Sequence, residues 1–118
     1  IFFGKQKIEM YPGILPDNSK NQLRVKIDGD SMKPFMNHGD EFIFEKYFDQ
    51  KICLGDILLF SHPYLKRRNL VKRVTKIKEG DLFFLEGDNP NYSSDSRSFG
   101  FIKKDKIIAI NKHYDKQT

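Results

Sequence analysis

Short apolar stretches recur roughly every 10–15 residues along this chain, and none of them repeats at helical spacing. Leu23-Arg24-Val25-Lys26-Ile27 and Glu41-Phe42-Ile43-Phe44-Glu45-Lys46 alternate as half-buried strands do. Asp56-Ile57-Leu58-Leu59-Phe60-Ser61 is a continuous apolar run, the pattern of a strand covered on both faces. Leu70 to Ile77 and Leu82 to Glu86 flank the turn Glu79-Gly80-Asp81 and predict a hairpin, and Lys106 to Ile110 predicts a last strand. A chain built this way must bury its apolar residues by pairing short strands. The expectation is an all-β domain of coiled antiparallel sheets with little helix.

The 118 residues suit one domain with one core. It divides into an irregular lead-in over 1–24 (with a short strand near Lys5–Tyr11), a core over 25–110 and a polar tail over 111–118. The loop from Gly87 to Gly100 reads as irregular. One cysteine, Cys53, excludes an internal disulfide; beside Ile52 and Leu54 it is expected in the core. His38, His62 and His113 lack ligand-like spacing, so neither a metal site nor a Ser-His-Asp triad is expected, and no cofactor is implied. No apolar run approaches the roughly 20 residues that span a bilayer. The net charge of +5 is compatible with an acidic partner without demanding one.

Two residues carry potential chemistry. Ser31 lies in Gly29-Asp30-Ser31-Met32-Lys33-Pro34, and Lys72 lies in Leu70-Val71-Lys72-Arg73-Val74. A free hydroxyl is a weak nucleophile and a free lysine is protonated at neutral pH. A desolvated lysine can instead be neutral and take the serine proton as the hydroxyl attacks a carbonyl. The competing reading makes Lys72 one of 21 basic residues, on a solvated strand face. Arg73, its neighbour, should point to the opposite side and serve a surface or salt-bridge role.

Four segments taken in order resemble the motif boxes of the type I signal peptidases. They are Gly29–Pro34 with Gly39-Asp40; Leu54-Gly55-Asp56 entering its apolar strand; Val71-Lys72-Arg73-Val74 with Gly80-Asp81; and Gly87-Asp88-Asn89-Pro90 through Ser93, Asp95-Ser96-Arg97 and Gly100. A Ser-Met-x-Pro motif also occurs in the self-cleaving SOS repressors, which are similar in fold and dyad. The Asp-Ser-Arg segment leans toward the signal peptidase side. The His62-Pro63 stretch and the last box most resemble the small proteases that mature nickel-type superoxide dismutase.

The resemblance implies the coiled β fold of these proteases, with Ser31 as nucleophile and Lys72 as general base. Ser93 matches the serine that orients the lysine. Asp95 and Arg97 match a pair that supports the site through a salt bridge. Asp88 and Asn89 build a turn, and Met32 and Pro34 shape the Ser31 loop. Gly29 stands where some relatives place a second oxyanion donor, so a backbone N–H or water would complete the hole; equally, it is a turn glycine only.

The implied activity is removal of an N-terminal propeptide, from a nickel superoxide dismutase precursor bound as an extended strand. Two alternatives stand: a membrane signal peptidase catalytic domain lacking its anchor, or a catalytically silent β domain binding peptide or nucleic acid. The basic run Lys66-Arg67-Arg68 is expected as a solvated loop, and no nucleic-acid partner is expected. A maturation protease would be cytoplasmic. A signal peptidase would be membrane-associated, with its catalytic domain outside the cytoplasm and its membrane contact through an upstream anchor.

Overall fold

The computed structural model of the chain describes residues 21–112, so the strand expected near Lys5–Tyr11 and His113 lie outside the described residues. Seven strands form one antiparallel sheet: β1 (Gln22–Lys26), β2 (Glu41–Lys46), β3 (Ile57–Ser61), β4 (Asn69–Lys78), β5 (Leu82–Glu86), β6 (Ile102–Lys103) and β7 (Ile107–Asn111). Their order across the sheet is β1-β2-β7-β3-β4-β5-β6. The last strand therefore sits in the middle. It joins a β1–β2 hairpin on one side to a β3–β6 meander on the other, closed by the β5–β6 pair.

The apolar run of β3 explains its central place. Ile57 and Leu59 enter one buried cluster with Val25, Met32, Met36 and Phe44. Leu58 and Phe60 enter a second with Val74, Leu85, Ile102 and Ile110. Covered on both faces, β3 lies inside the sheet between β7 and β4. The long strand β4 serves two partners in turn: its first half pairs with β3 and its second half with β5. A register shift between Val74 and Lys76 marks the change. Such a bulge bends the strand and increases its twist.

Three local expectations need correcting. Cys53 is exposed. The turn before β3 overrides its apolar neighbours: Asp56 accepts from the Cys53 N–H at 2.8 Å and donates its own N–H back to the Cys53 carbonyl at 3.1 Å, turning the thiol outward. The segment from Gly87 to Gly100 is not wholly irregular, because a 3₁₀ turn (Pro90–Tyr92) and a one-turn helix α1 (Ser96–Phe99) occupy it. The Asp95 carboxylate caps α1 by accepting from the Arg97 N–H. Finally, Asn111 is the buried last residue of β7, and Lys112 Nζ lies 2.6 Å from Asp56.

Candidate active site

Ser31 stands on the excursion between β1 and β2. The mouth of that excursion is tied by Ile27, whose N–H donates to the Asp40 carbonyl at 2.8 Å while its own carbonyl accepts from Gly39 at 2.9 Å. Met32, 1% exposed, roots the loop in the core. Pro34 follows a cis Lys33–Pro34 bond and is exposed, its carbonyl accepting from Asn37 Nδ2 at 3.3 Å. Gly29 has φ +96°, a conformation open to glycine, and its N–H donates to His38 Nδ1 at 2.9 Å. Among the described residues, the Ser31 N–H donates to no backbone acceptor. The N–H groups of Asp30 and Met32 likewise donate to no backbone acceptor among the described residues.

Lys72 pairs across β4 with Leu58 of β3, and its alternate neighbours Leu70 and Val74 are buried. The lysine is itself 3% exposed. Its Nζ lies 2.7 Å from Ser31 Oγ, a contact between residues 41 apart in the chain. Burial, the largest influence, drives its pKa down from an ordinary 10.5 to about 8. The Asp95 carboxylate opposes that fall and the Arg97 guanidinium adds to it.

The segment after β5 packs against this pair. Asp95, 1% exposed, is its organiser. Its carboxylate accepts from the Ser93 hydroxyl, the Gly87 N–H at 2.8 Å, the Arg97 N–H at 3.1 Å and the Arg97 guanidinium. Burial alone would raise the Asp95 pKa. The Arg97 hydrogen bonds, then those from Gly87 and Ser93, outweigh it and hold the carboxyl well below the usual carboxylate range. Ser93 spends its proton on Asp95; among the described residues no hydrogen bond joins Ser93 to Lys72. Ser96 Oγ accepts from the Leu85 N–H at 2.9 Å, fastening α1 to β5.

A buried lysine touching a serine, behind a loop held by an Asp–Arg pair, is an arrangement suited to serine-peptidase chemistry. Residues 3–110 match the family model of the peptidase S24-like proteins. The chain belongs to this family. The serine-peptidase class and the all-β fold follow from that membership and from the sheet just described. A comparison with curated proteins gave no match.

Three residues of this S24-like peptidase gain roles beyond those read from the sequence. Asn89 clasps the nucleophile loop: its N–H donates to the Ser31 carbonyl and its Nδ2 to the Asp30 carbonyl, both at 2.9 Å. Gly87 lies in the narrow space between the two loops. A Cβ there would sit 2.3 Å from Ser93 Oγ and 2.7 Å from the Ser31 carbonyl oxygen, so no side chain fits. His38 holds Gly29, as above. Pattern reading identified the Gly-Asp-Asn run but could not show what lay opposite it. Arg73 turns away from Lys72 and grips Asp88 through Nε and Nη2 at 2.9 and 2.8 Å, with Nη1 donating to the Gly55 carbonyl at 3.1 Å.

Among the described residues, no group of three or more His, Cys, Asp or Glu side chains could hold a metal ion. Nor, among them, is any helix long and apolar enough to cross a membrane.

Proposed function

We propose that the chain is an endopeptidase with Ser31 as nucleophile and Lys72 as its general base. The observation that carries this is the 2.7 Å contact between Ser31 Oγ and a lysine held in apolar surroundings at a pKa of about 8. A neutral Lys72 amine accepts the Ser31 proton while Oγ bonds to the scissile carbonyl carbon. The oxyanion that forms is stabilised by the Ser31 N–H. As the carbon–nitrogen bond breaks, the Lys72 ammonium returns its proton to the leaving amine. Water then attacks the acyl carbon while Lys72 takes its proton, and that proton passes to Ser31 Oγ as the carbon–oxygen bond of the acyl-enzyme breaks.

Ser93, Asp95 and Arg97 act as supports. The Asp95 charge moderates the fall of the Lys72 pKa, and its bond to Ser93 fixes the hydroxyl beside the dyad. Gly29, Met32 and Pro34 shape the nucleophile loop. The substrate binds as an extended strand beside that loop and β4. Within this reading the substrate is the N-terminal propeptide of a nickel superoxide dismutase precursor, a choice supported by the likeness of the last motif box to the proteases that mature that enzyme.

Incubating a dismutase precursor with wild-type protein, Ser31→Ala and Lys72→Ala tests both levels. Cleavage by the wild type and by neither variant is expected. Equal cleavage by all three would refute the dyad. A wild type that cuts generic peptides through Ser31 but leaves the precursor intact would refute the substrate alone.

A further inference from the structure

The loop from His62 to Arg68 joins β3 to β4 and contributes none of the residues assigned to the dyad or its supports. His62 Nδ1 accepts the backbone N–H groups of Tyr64 and Leu65 at 3.0 and 3.1 Å, drawing the loop into a tight turn around the imidazole. That ring is in turn seated on Phe99, with ring centres 4.7 Å apart. The tip is therefore held in a shape that leaves Tyr64 74% and Leu65 49% exposed. Lys66, Arg67 and Arg68 follow at once, all exposed. Because β7 starts beside the end of β3, Pro63 and Tyr64 share a shallow recess with Phe101, Lys103 and Lys106, in which Asp105 is the lone carboxylate. Among the described residues, none of Lys66, Arg67, Arg68, Lys103 and Lys106 forms an ion pair.

We infer that this face docks on an anionic bilayer surface, with Tyr64 and Leu65 entering the headgroup region and the five cations meeting lipid phosphates. An aromatic–aliphatic tip ringed by unpaired basic groups matches both halves of such an interface, apolar depth and negative surface charge. A single nucleic-acid strand fits less well, because it needs free aromatic faces for its bases. The Phe101 ring already carries the Lys78 ammonium 4.8 Å from its centre and packs edge-on against Phe84, and Leu65 offers no stacking surface. The inference does not depend on the Ser31–Lys72 assignment.

The chain has no Trp, so Tyr64→Trp supplies a single fluorescent reporter at the tip. Expected is co-sedimentation with phosphatidylcholine vesicles containing phosphatidylglycerol, a blue-shifted emission on binding, and weakening of both by salt. Pure phosphatidylcholine vesicles should bind poorly. Neutralising Lys66, Arg67 and Arg68 to Gln should lower affinity about a hundredfold, at roughly fivefold per charge. Tyr64→Ser with Leu65→Ser should abolish the residual binding. These positions are exposed, and unchanged circular dichroism would confirm that the variants fold. The inference is overturned if the wild type stays in the supernatant, or if Tyr64→Trp binds without a blue shift. Tighter, loop-dependent binding to a single-stranded oligonucleotide would overturn it equally.

Discussion

Replacing Lys72 by methionine keeps the length of the side chain and removes its amine. In the folded chain the ammonium is disfavoured by burial, and its pKa falls from 10.5 to about 8. At about 1.4 kcal/mol per pH unit, that fall corresponds to roughly 3 kcal/mol charged against the folded state. Below about pH 8 both folded and unfolded chains carry the proton and the penalty is complete; above about pH 10.5 neither does and it vanishes. Lys72→Met escapes the penalty at every pH but loses the hydrogen bond to Ser31, worth about 1 kcal/mol. The variant should therefore be about 2 kcal/mol more stable than wild type near neutrality, with the advantage gone by about pH 10. Urea denaturation of both proteins across a pH series measures this, because the difference cancels every other titrating group. A variant less stable than wild type at neutral pH, or a gap that does not close toward alkaline pH, would refute the account of Lys72 as a desolvated amine. The same variant should cleave nothing, so stability and activity would move in opposite directions.

Cleavage of a peptide by the wild type should rise with pH through about 8 and then level, since the amine is the reactive form. Gly87→Ala forces a methyl against Ser93 and the Ser31 carbonyl; denaturation should show a loss of roughly 2 kcal/mol and assay a loss of cleavage. Gly80→Ala, where a Cβ meets nothing within 4 Å but φ is +87°, should cost about 1 kcal/mol of stability and retain activity. Asp95→Asn should cost about 3 kcal/mol at neutral pH, measured by denaturation, because it strips a buried carboxylate from Arg97, Gly87 and Ser93. Wild type should lose stability progressively as pH falls below about 4, the Asp95 contribution being complete only above that point, and the variant should show a flatter acid limb. Asn89→Ala should lower kcat about fivefold with little change in KM, by freeing the Ser31 loop.

Strand existence was legible because alternation records which residues a sheet buries: Glu41–Lys46 and Leu82–Glu86 coincide with β2 and β5. The unbroken run in β3 told, for the same reason, that both its faces are covered. Partnership was not legible, since nothing local in Ile107–Asn111 says that it lies between β2 and β3 rather than at an edge. The two-residue β6 and the single turn of α1 are too short to show a period and exist through tertiary contacts. Cys53 shows the opposite failure, a local apolar context defeated by an Asp56 turn. In the site, Ser31 and Lys72 could be singled out by chemical type and motif. Asn89 could not, because its role is two hydrogen bonds to backbone carbonyls 58 and 59 residues away, and backbone carbonyls leave no trace in composition.

The placement of β7 bears on how the two halves of the candidate site come together. Ser31 hangs from the β1–β2 hairpin and Lys72 belongs to the β3–β6 meander, and among the described residues the sheet joins those two parts through β7. In a growing chain Ser31 and Lys72 both emerge before Ile107–Asn111, and until then no strand pairing among the described residues joins their two pieces. Sheet pairing between the two pieces therefore waits for β7. A chain cut short before β7 would lack the strand that bridges the Ser31 hairpin and the Lys72 meander.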